Sequence, residues 1–402
     1  MHILLIHQAF AALDEPGGTR HHELARFLVS RGHRVTVIAS PVSYLTGQDS
    51  ASGPEEKEAG LTILRAYTYR ALHKSFVHRV FSFFSFMISS FFIGLRVRNV
   101  DVVWGTSPPI FQGVTAWLLA RLKGAKFLFE VRDLWPDFAI AVGVLKNPTL
   151  IKLSLWLEKF LYRRADRMMV NSPGYVEHVT GRGARSVELI PNGADPQMFN
   201  PLDNGHPFRQ KNHLKNKFVV LYAGAHGISN DLTVVLEAAR LLQKDFRYRF
   251  VFLGDGKEKA HLQARALEMG LTNVLFLPAL PKTGMAAALA GADACLAILK
   301  PIDAYKTTYP NKVFDYMAAG RPVLLAIDGV IREVVEAAGC GIFAQPGDPA
   351  ALAEAVARLA ADRDQALRMG LAGRSYLEAH FSREVLAEKL ELLLKSIQGR
   401  NS

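Results

Sequence analysis

Two cysteines in 402 residues, Cys295 and Cys340, are too few for a disulfide framework and too isolated for a zinc site. Both stand among small and apolar neighbours, which fits reduced thiols in a core. The N-terminus lacks a basic region followed by a small-residue cleavage site, so His2–His7 reads as a buried strand, not a secretory leader. The Gly-x-Gly-x-x-Gly dinucleotide fingerprint is missing, and so is any long low-complexity tract. Only 21% of residues are charged and 50% are hydrophobic, which excludes a disordered chain and provides a sizeable interior. The length exceeds one ordinary core and suits two. What is present in excess is positive charge. A formal net charge of +11 favours anionic partners (phosphates, nucleic acid or acidic lipid headgroups) without choosing among them.

Apolar runs of strand length alternate with helical patterns through the first half. Strands are expected at 3–7, 35–39, 102–104, 127–131, 168–170 and 187–190, with helices at 21–29, 111–122 and 150–161 between them. That rhythm is what a parallel sheet covered on both faces demands. It breaks at 191–207 into Pro, Asn, Gly and Asp, then restarts. Strands are expected again at 218–222, 249–253, 274–277, 294–298, 323–326 and 341–343, with an Ala-rich helix at 350–359. The expected architecture is α/β, with an N-terminal domain over 1–199 and a C-terminal domain over 200–383. The final helix, within about 384–402, has Leu386, Leu390, Leu393 and Leu394 on one side. It either packs on its own domain or crosses back to the first. Open sheets bind ligands outside the carboxyl ends of their strands, so two such domains facing each other would place the active site between them.

Three stretches carry chemistry. Pro16-Gly17-Gly18-Thr19-Arg20 offers adjacent glycines and a helix start to an anion, although an ordinary strand-to-helix turn explains it as well. Gly224, His226 and Gly227 after one strand, and Gly254-Asp255-Gly256 after the next, suggest a phosphate or sugar lying across paired turns. The most informative run is Tyr305–Val323. Pro310 suits the first turn of a helix ending at Gly320. Free N–H groups at that helix start, with Lys306 and Lys312 beside them, describe a diphosphate site, and Asp315 is placed to accept from ribose hydroxyls. The bland alternative is a surface helix on which Asp315 pairs with Lys312 or another neighbour.

Pro310–Val323 resembles the nucleotide-sugar signature of the retaining family-4 glycosyltransferases. Thr106-Ser107-Pro108-Pro109 and Glu130-Val131-Arg132-Asp133-Leu134-Trp135-Pro136-Asp137 resemble the WbuB-type branch of that family. Asn171-Ser172 and Ile190–Asp195 match the family's approach to the interdomain link. The resemblance implies a GT-B fold, two Rossmann-like parallel-sheet domains facing a central cleft, and surface polysaccharide or O-antigen biosynthesis. It implies retention of configuration, with no cofactor or metal required. Lysines and helix N–H groups would neutralise the departing diphosphate instead. It assigns the donor, a nucleotide sugar with UDP the expected carrier and an N-acetylated hexose or deoxyhexose the expected sugar, to Gly17, Gly18, Gly224, His226, Gly227, Gly254, Asp255, Gly256, Leu280, Lys306, Thr307, Thr308, Pro310, Asn311, Lys312 and Asp315. The acceptor, a polyprenyl-diphosphate-linked saccharide, goes to Thr19, Arg20, Thr106, Ser107 and Asn171. Catalytic roles fall on Glu130, Arg132, Asp133 and Lys312. Three departures stand out. The family's paired glutamates become Thr307 and Asp315, its Arg/Lys pair after the first donor-domain strand is not evident near His226 and Asn230, and Arg132-Asp133 occupies the place often held by a histidine.

Residues 69–98 are unlike the rest: Arg70, His73, Lys74, His78 and Arg79 precede a phenylalanine-rich run closed by Arg96 and Arg98. The apolar part is shorter than the roughly 20 residues that span a bilayer. It reads either as a buried helix or as one lying at a membrane surface, cations on acidic headgroups. Leu150–Arg167, with Lys152, Lys159, Arg163 and Arg164 beside Trp156 and Phe160, would extend that basic face. The expected location is cytoplasmic, peripheral on the inner membrane. A GT-B nucleotide-sugar epimerase and a nucleic-acid-binding protein are the rival functions. The second finds no reading module in the sequence.

Overall fold

The computed structural model describes residues 1–43, 47, 55–70 and 76–399, with 55–58 and 76–77 described by their backbone. His73 and Lys74 of the basic stretch and residues 400–402 of the final segment lie outside the described residues. The chain divides into two compact units. One comprises Met1–Leu13, Gly17–Pro191 and Glu384–Ser402, the other Asp14–Pro16 and Asn192–Arg383.

The first unit holds β1 (His2–Ile6), β2 (Arg34–Ala39), β3 (Glu55–Glu58), β4 (Leu61–Arg65), β5 (Val102–Ser107), β6 (Lys126–Val131), β7 (Arg167–Val170) and β8 (Val187–Leu189). They form one sheet in the order β3-β4-β2-β1-β5-β6-β7-β8, parallel except that β3 runs antiparallel to β4. The β3–β4 hairpin was not expected. Glu55–Glu58 contains no apolar residue, so it offers no hydrophobic pattern to read. The second unit holds β9 (Phe218–Ala223), β10 (Tyr248–Leu253), β11 (Val274–Leu277), β12 (Ala294–Ile298), β13 (Val323–Ala326) and β14 (Gly341–Phe343), all parallel in the order β11-β10-β9-β12-β13-β14. In β9, Val219, Leu221 and Ala223 join the core on one face and Phe218, Val220 and Tyr222 the core on the other. An unbroken apolar run is therefore what a centre strand covered on both sides needs.

The boundary expected at 199/200 falls at 191/192. Residues just after Pro191 are bonded within the second unit: Asn192 Nδ2 donates to Tyr309 O at 2.7 Å, and Ala194 N to Phe381 O at 3.3 Å. The final helix, Arg383–Gln398, lays Leu386, Leu390, Leu393, Leu394 and Ile397 against Ile3, Leu5, Leu24 and Leu28 of the first unit.

The Phe76–Arg96 helix is 21 residues long, and by length and composition its apolar window is enough to cross a membrane, contrary to the sequence expectation. One side packs on the Phe111–Lys123 helix: Phe84 lies 4.8 Å from Phe111 between ring centroids, Thr115 Oγ1 donates to Met87 O at 2.9 Å, and Gly94 sits against Leu119. Phe84 is itself partly open at the margin, and the other side leaves Phe81, Ile88, Phe92 and Leu95 exposed. The helix is thus buried along the stripe Ser82, Phe86, Ser90 and Gly94 and bare along another.

Candidate active site

In the second sheet β9 leads on to β10 and β11 on one side, while β12 leads to β13 and β14 on the other. The carboxyl ends of β9 and β12 are the switch point, where such sheets bind ligands. The Asn311–Ala318 helix is pinned there by Tyr316, whose hydroxyl accepts from Ala223 N at 3.1 Å and lies 3.1 Å from Leu296 O. This places Lys312 with its Nζ 3.9 Å from the centroid of the Tyr222 ring. A Cβ at Gly224 would come 3.1 Å from the same Nζ. No carboxylate pairs with Lys312 among the described residues, and burial lowers its pKa to about 7. A largely buried amine against a ring and a glycine turn, with no anion of its own, is a receptor for one.

The neighbouring turns close tightly on each other. Gly254 has φ +151°, and a Cβ there would stand 1.9 Å from Gly224 O. At Gly256, φ +150°, a Cβ would meet His226 O at 2.5 Å. Only glycine fits either place. Asp255 serves this packing: its O accepts from His226 N at 2.7 Å and its Oδ1 from Gly256 N at 2.8 Å. Gly227 opens the turn Ile228–Asn230, Leu280 is partly buried against the core, and Thr308 N bonds back to Tyr305 O.

Several expected donor contacts are corrected. The His226 imidazole is fully buried, edge-on to the stacked Phe252 and Phe276 rings, so it shapes the turn from below. Burial, with Lys259 and Lys312 nearby, lowers its pKa to about 4 and keeps it neutral. Lys306 is 53% exposed and its Nζ pairs with Asp303 Oδ1 at 2.8 Å, a surface pair that any ligand phosphate would have to displace. Asp315 is already engaged: Lys282 Nζ lies 2.5 Å from its Oδ1, and Asn311 Nδ2 reaches Oδ2 at 3.5 Å. A ribose would have to share that carboxylate with Lys282, a residue 33 positions away that no local pattern flags. Thr307 Oγ1 donates to Ala304 O at 2.7 Å. Pro310 precedes the helix instead of occupying its first turn. Gly17 and Gly18 are exposed and do not directly follow β1; residues 7–19 separate that strand from the Arg20–Ser30 helix.

The first sheet has its own switch point between β1 and β5. Thr106 is not turned toward a ligand. Gln112 Nε2 donates to both its carbonyl and its Oγ1 at 2.8 Å, and the hydroxyl lies 3.0 Å from His7 Nδ1. His7 Nε2 is buried without a partner among the described residues. Burial, helped by His21 and Arg132, holds this imidazole well below the usual range, hence neutral.

Glu130 is likewise sealed. Its Oε1 accepts from Arg20 Nε at 3.1 Å, and its Oε2 from His21 Nε2 at 2.6 Å and Trp104 Nε1 at 3.1 Å. Burial would raise its pKa, but His21 and Arg20 hold it at about 2. It organises the network and does not orient an acceptor. Arg20 spends its remaining donors on Pro191 O and Ile190 O, at 2.6 and 2.8 Å, and Thr19 Oγ1 bonds Glu23 at 2.6 Å. The side chains of Glu130, Arg20, Thr19 and Thr106 are thus bonded within the protein itself. Arg132, Asp133, Ser107 and Asn171 remain at the carboxyl edge. Arg132 Nη2 donates to Pro108 O at 3.3 Å. Asp133 Oδ1 and Asn171 Oδ1 are buried without a hydrogen-bond partner among the described residues. Burial lifts Asp133 to about 7 against the pull of Arg132. Sequence reasoning missed His7, His21, Gln112 and Trp104, because nothing in their spacing ties them together.

Two units, each built on a largely parallel sheet with polar side chains at its switch point, make up the two-domain GT-B class of fold. Residues 17–193 match the glycosyl transferase 4-like domain and residues 217–362 the glycosyl transferases group 1 domain, so the chain belongs to the glycosyltransferases built from these two. It is 27% identical over 312 residues to an Escherichia coli K12 protein named as the colanic acid biosynthesis glycosyl transferase WcaI, covering 74% of this chain and 76% of that one. It is 26% identical to a Pseudomonas aeruginosa protein named as the glycosyltransferase WbjE, covering 75% and 76%. Among solved structures it shares its fold with a sucrose-phosphate synthase from Thermosynechococcus elongatus (TM-score 0.79, 19% identity, all of both chains). Anabaena HepE in complex with UDP and glucose matches with TM-score 0.74 at 16% identity, covering 98% of this chain and all of that one.

Proposed function

We propose that the protein transfers a sugar from a UDP-linked donor, with retention of configuration, to a lipid-linked saccharide during surface polysaccharide biosynthesis. The observation that carries the reading is Lys312, an ammonium without a carboxylate at the second sheet's switch point, set against Tyr222 and the turn at Gly224. It meets the departing diphosphate, and its charge, with the free N–H groups of the helix it opens, does the work of a divalent ion. UDP as the carrier is supported by its presence in the HepE complex, and the polysaccharide role by the name of WcaI. Asp133, Arg132, Ser107 and Asn171 form the polar edge for the acceptor. Retention follows if a diphosphate oxygen takes the acceptor proton on the face from which it leaves. The bare side of the Phe76–Arg96 helix, with Arg79 and Arg96, holds the protein on the cytoplasmic membrane surface near its lipid-borne acceptor.

The test is a thermal-shift panel of nucleoside diphosphates on wild type and Lys312→Ala, since a ligand bound only to the folded state raises the melting temperature. UDP is expected to stabilise the wild type. Loss of one charge-assisted contact weakens its affinity in the variant by about 10- to 100-fold. Equal UDP affinity in both proteins defeats the site. Turnover is expected to be unchanged by EDTA, and incubation with donor alone to yield no epimerised sugar.

A further inference from the structure

The Pro148–Arg164 helix contributes no residue to either switch-point site, yet it carries an organised group of side chains. It starts firmly: Asn147 Oδ1 accepts from Thr149 N and Leu150 N at 3.0 and 3.1 Å, with Pro148 in the first turn. At its other end Trp156, 62% exposed, stacks on Phe160 at 5.5 Å between centroids and 20° between planes. Phe160 in turn meets Trp117 edge-on at 4.8 Å and carries the Arg164 guanidinium over its face at 5.5 Å. Arg163 lies along Gly183, where a Cβ would come 2.9 Å from its Nε. These residues, with Lys159 and Arg185, line a cleft of about 440 Å³. Among the described residues none of the four cations has a carboxylate partner. Elsewhere on the surface pairs are frequent, as in Arg247 with Asp245 or Arg332 with Glu336.

The cleft belongs to the opposite edge of the sheet from the candidate acceptor residues. A second basic hollow adjoins it, lined in part by Arg121, Asp166, Arg167 and Ser186, at the starts of β7 and β8. Asn171 follows the end of β7. One strand of four residues, about 13 Å at 3.3 Å per residue, lies between them. Exposed leucines continue the patch. Leu150, Leu153 and Trp156 recur every three residues on the helix, and all are open to solvent.

We propose that this cleft binds the phosphate of an anionic membrane lipid, with Arg163, Arg164 and Arg185 on the phosphate oxygens and Trp156, Leu153 and Leu150 in the interfacial layer. Guanidinium forks match phosphate oxygens, and tryptophan suits the boundary between headgroup and acyl chain. A soluble nucleotide or a nucleic acid would use the cations and the ring but leave the leucines without purpose. The inference rests on the peripheral-membrane reading and adds to it a discrete phosphate site.

The experiment is flotation of the full-length protein with phosphatidylcholine vesicles, with and without phosphatidylglycerol. The variants are R163A/R164A/R185A, the milder R164A/R185A, and a control of equal charge change in the second unit, Lys211, Lys215 and Lys244 each to Ala. The wild type and the control are expected to float with phosphatidylglycerol vesicles. The triple variant should lose at least about tenfold in partitioning and the double an intermediate amount, while both keep the UDP thermal shift that reports a folded protein. Unchanged partitioning of the triple variant, or an equal loss in the control, overturns the phosphate site and leaves the membrane reading standing. Wild type that fails to float overturns both. A single-stranded oligonucleotide held by the wild type and lost by the triple variant overturns the lipid in favour of nucleic acid.

Discussion

At the level of single residues, two groups are held near pH 7 by burial and give measurable pH effects. Lys312 is lowered to about 7, so in the empty site at about pH 8 it is mostly neutral. Bound diphosphate favours its charged form. UDP binding there should take up nearly one proton, read as a dependence of calorimetric enthalpy on the ionisation heat of the buffer, and Lys312→Met should abolish it. Asp133 is raised to about 7 from 3.8, so between those values the folded protein holds a proton that the unfolded chain has lost. Its buried carboxylate therefore costs stability as pH rises through that window, and the cost is complete above it. Asp133→Asn should raise the melting temperature by several degrees at about pH 8.5 and by little at about pH 4, measured by differential scanning fluorimetry. The Lys312 position was legible because a proline, a helix start and a lysine lie within three residues. The Glu130 hub was not, since Arg20, His21 and Trp104 are brought together only by the sheet.

Among elements, the strands of both sheet centres were readable to within a few residues, because burial on two faces forces unbroken apolar runs. The β3–β4 hairpin at the edge escaped, having no such requirement. The Phe76–Arg96 helix showed its composition but not its division into a packed and a bare side, which depends on where the Phe111–Lys123 helix lies. Packing makes the Arg363–His380 helix sensitive at a place composition does not reveal. Gly370 sits so close that a Cβ would stand 2.0 Å from Gly320 O. Gly370→Ala should destabilise the second unit by about 1–3 kcal/mol, seen as a lower denaturation midpoint. In the final helix, Leu390 is fully buried against the first unit's core. Leu390→Ala should cost about 2–5 kcal/mol in the same measurement.

Over the whole molecule, the +11 charge is distributed unevenly in its use. Many cations in the second unit are paired, while those around Trp156 are not. Vesicle binding should therefore weaken steeply as salt rises from about 50 to 300 mM, as unpaired surface charge is screened, while UDP affinity changes less. The return of the last helix to the first unit carries a consequence for synthesis. A ribosome completes the strands of that unit early but delivers the leucines that cover Ile3, Leu5 and Leu24 only after the whole second unit. The second unit can mature while the first still waits for the Arg383–Gln398 helix. A late frameshift would thus injure the half of the enzyme translated first.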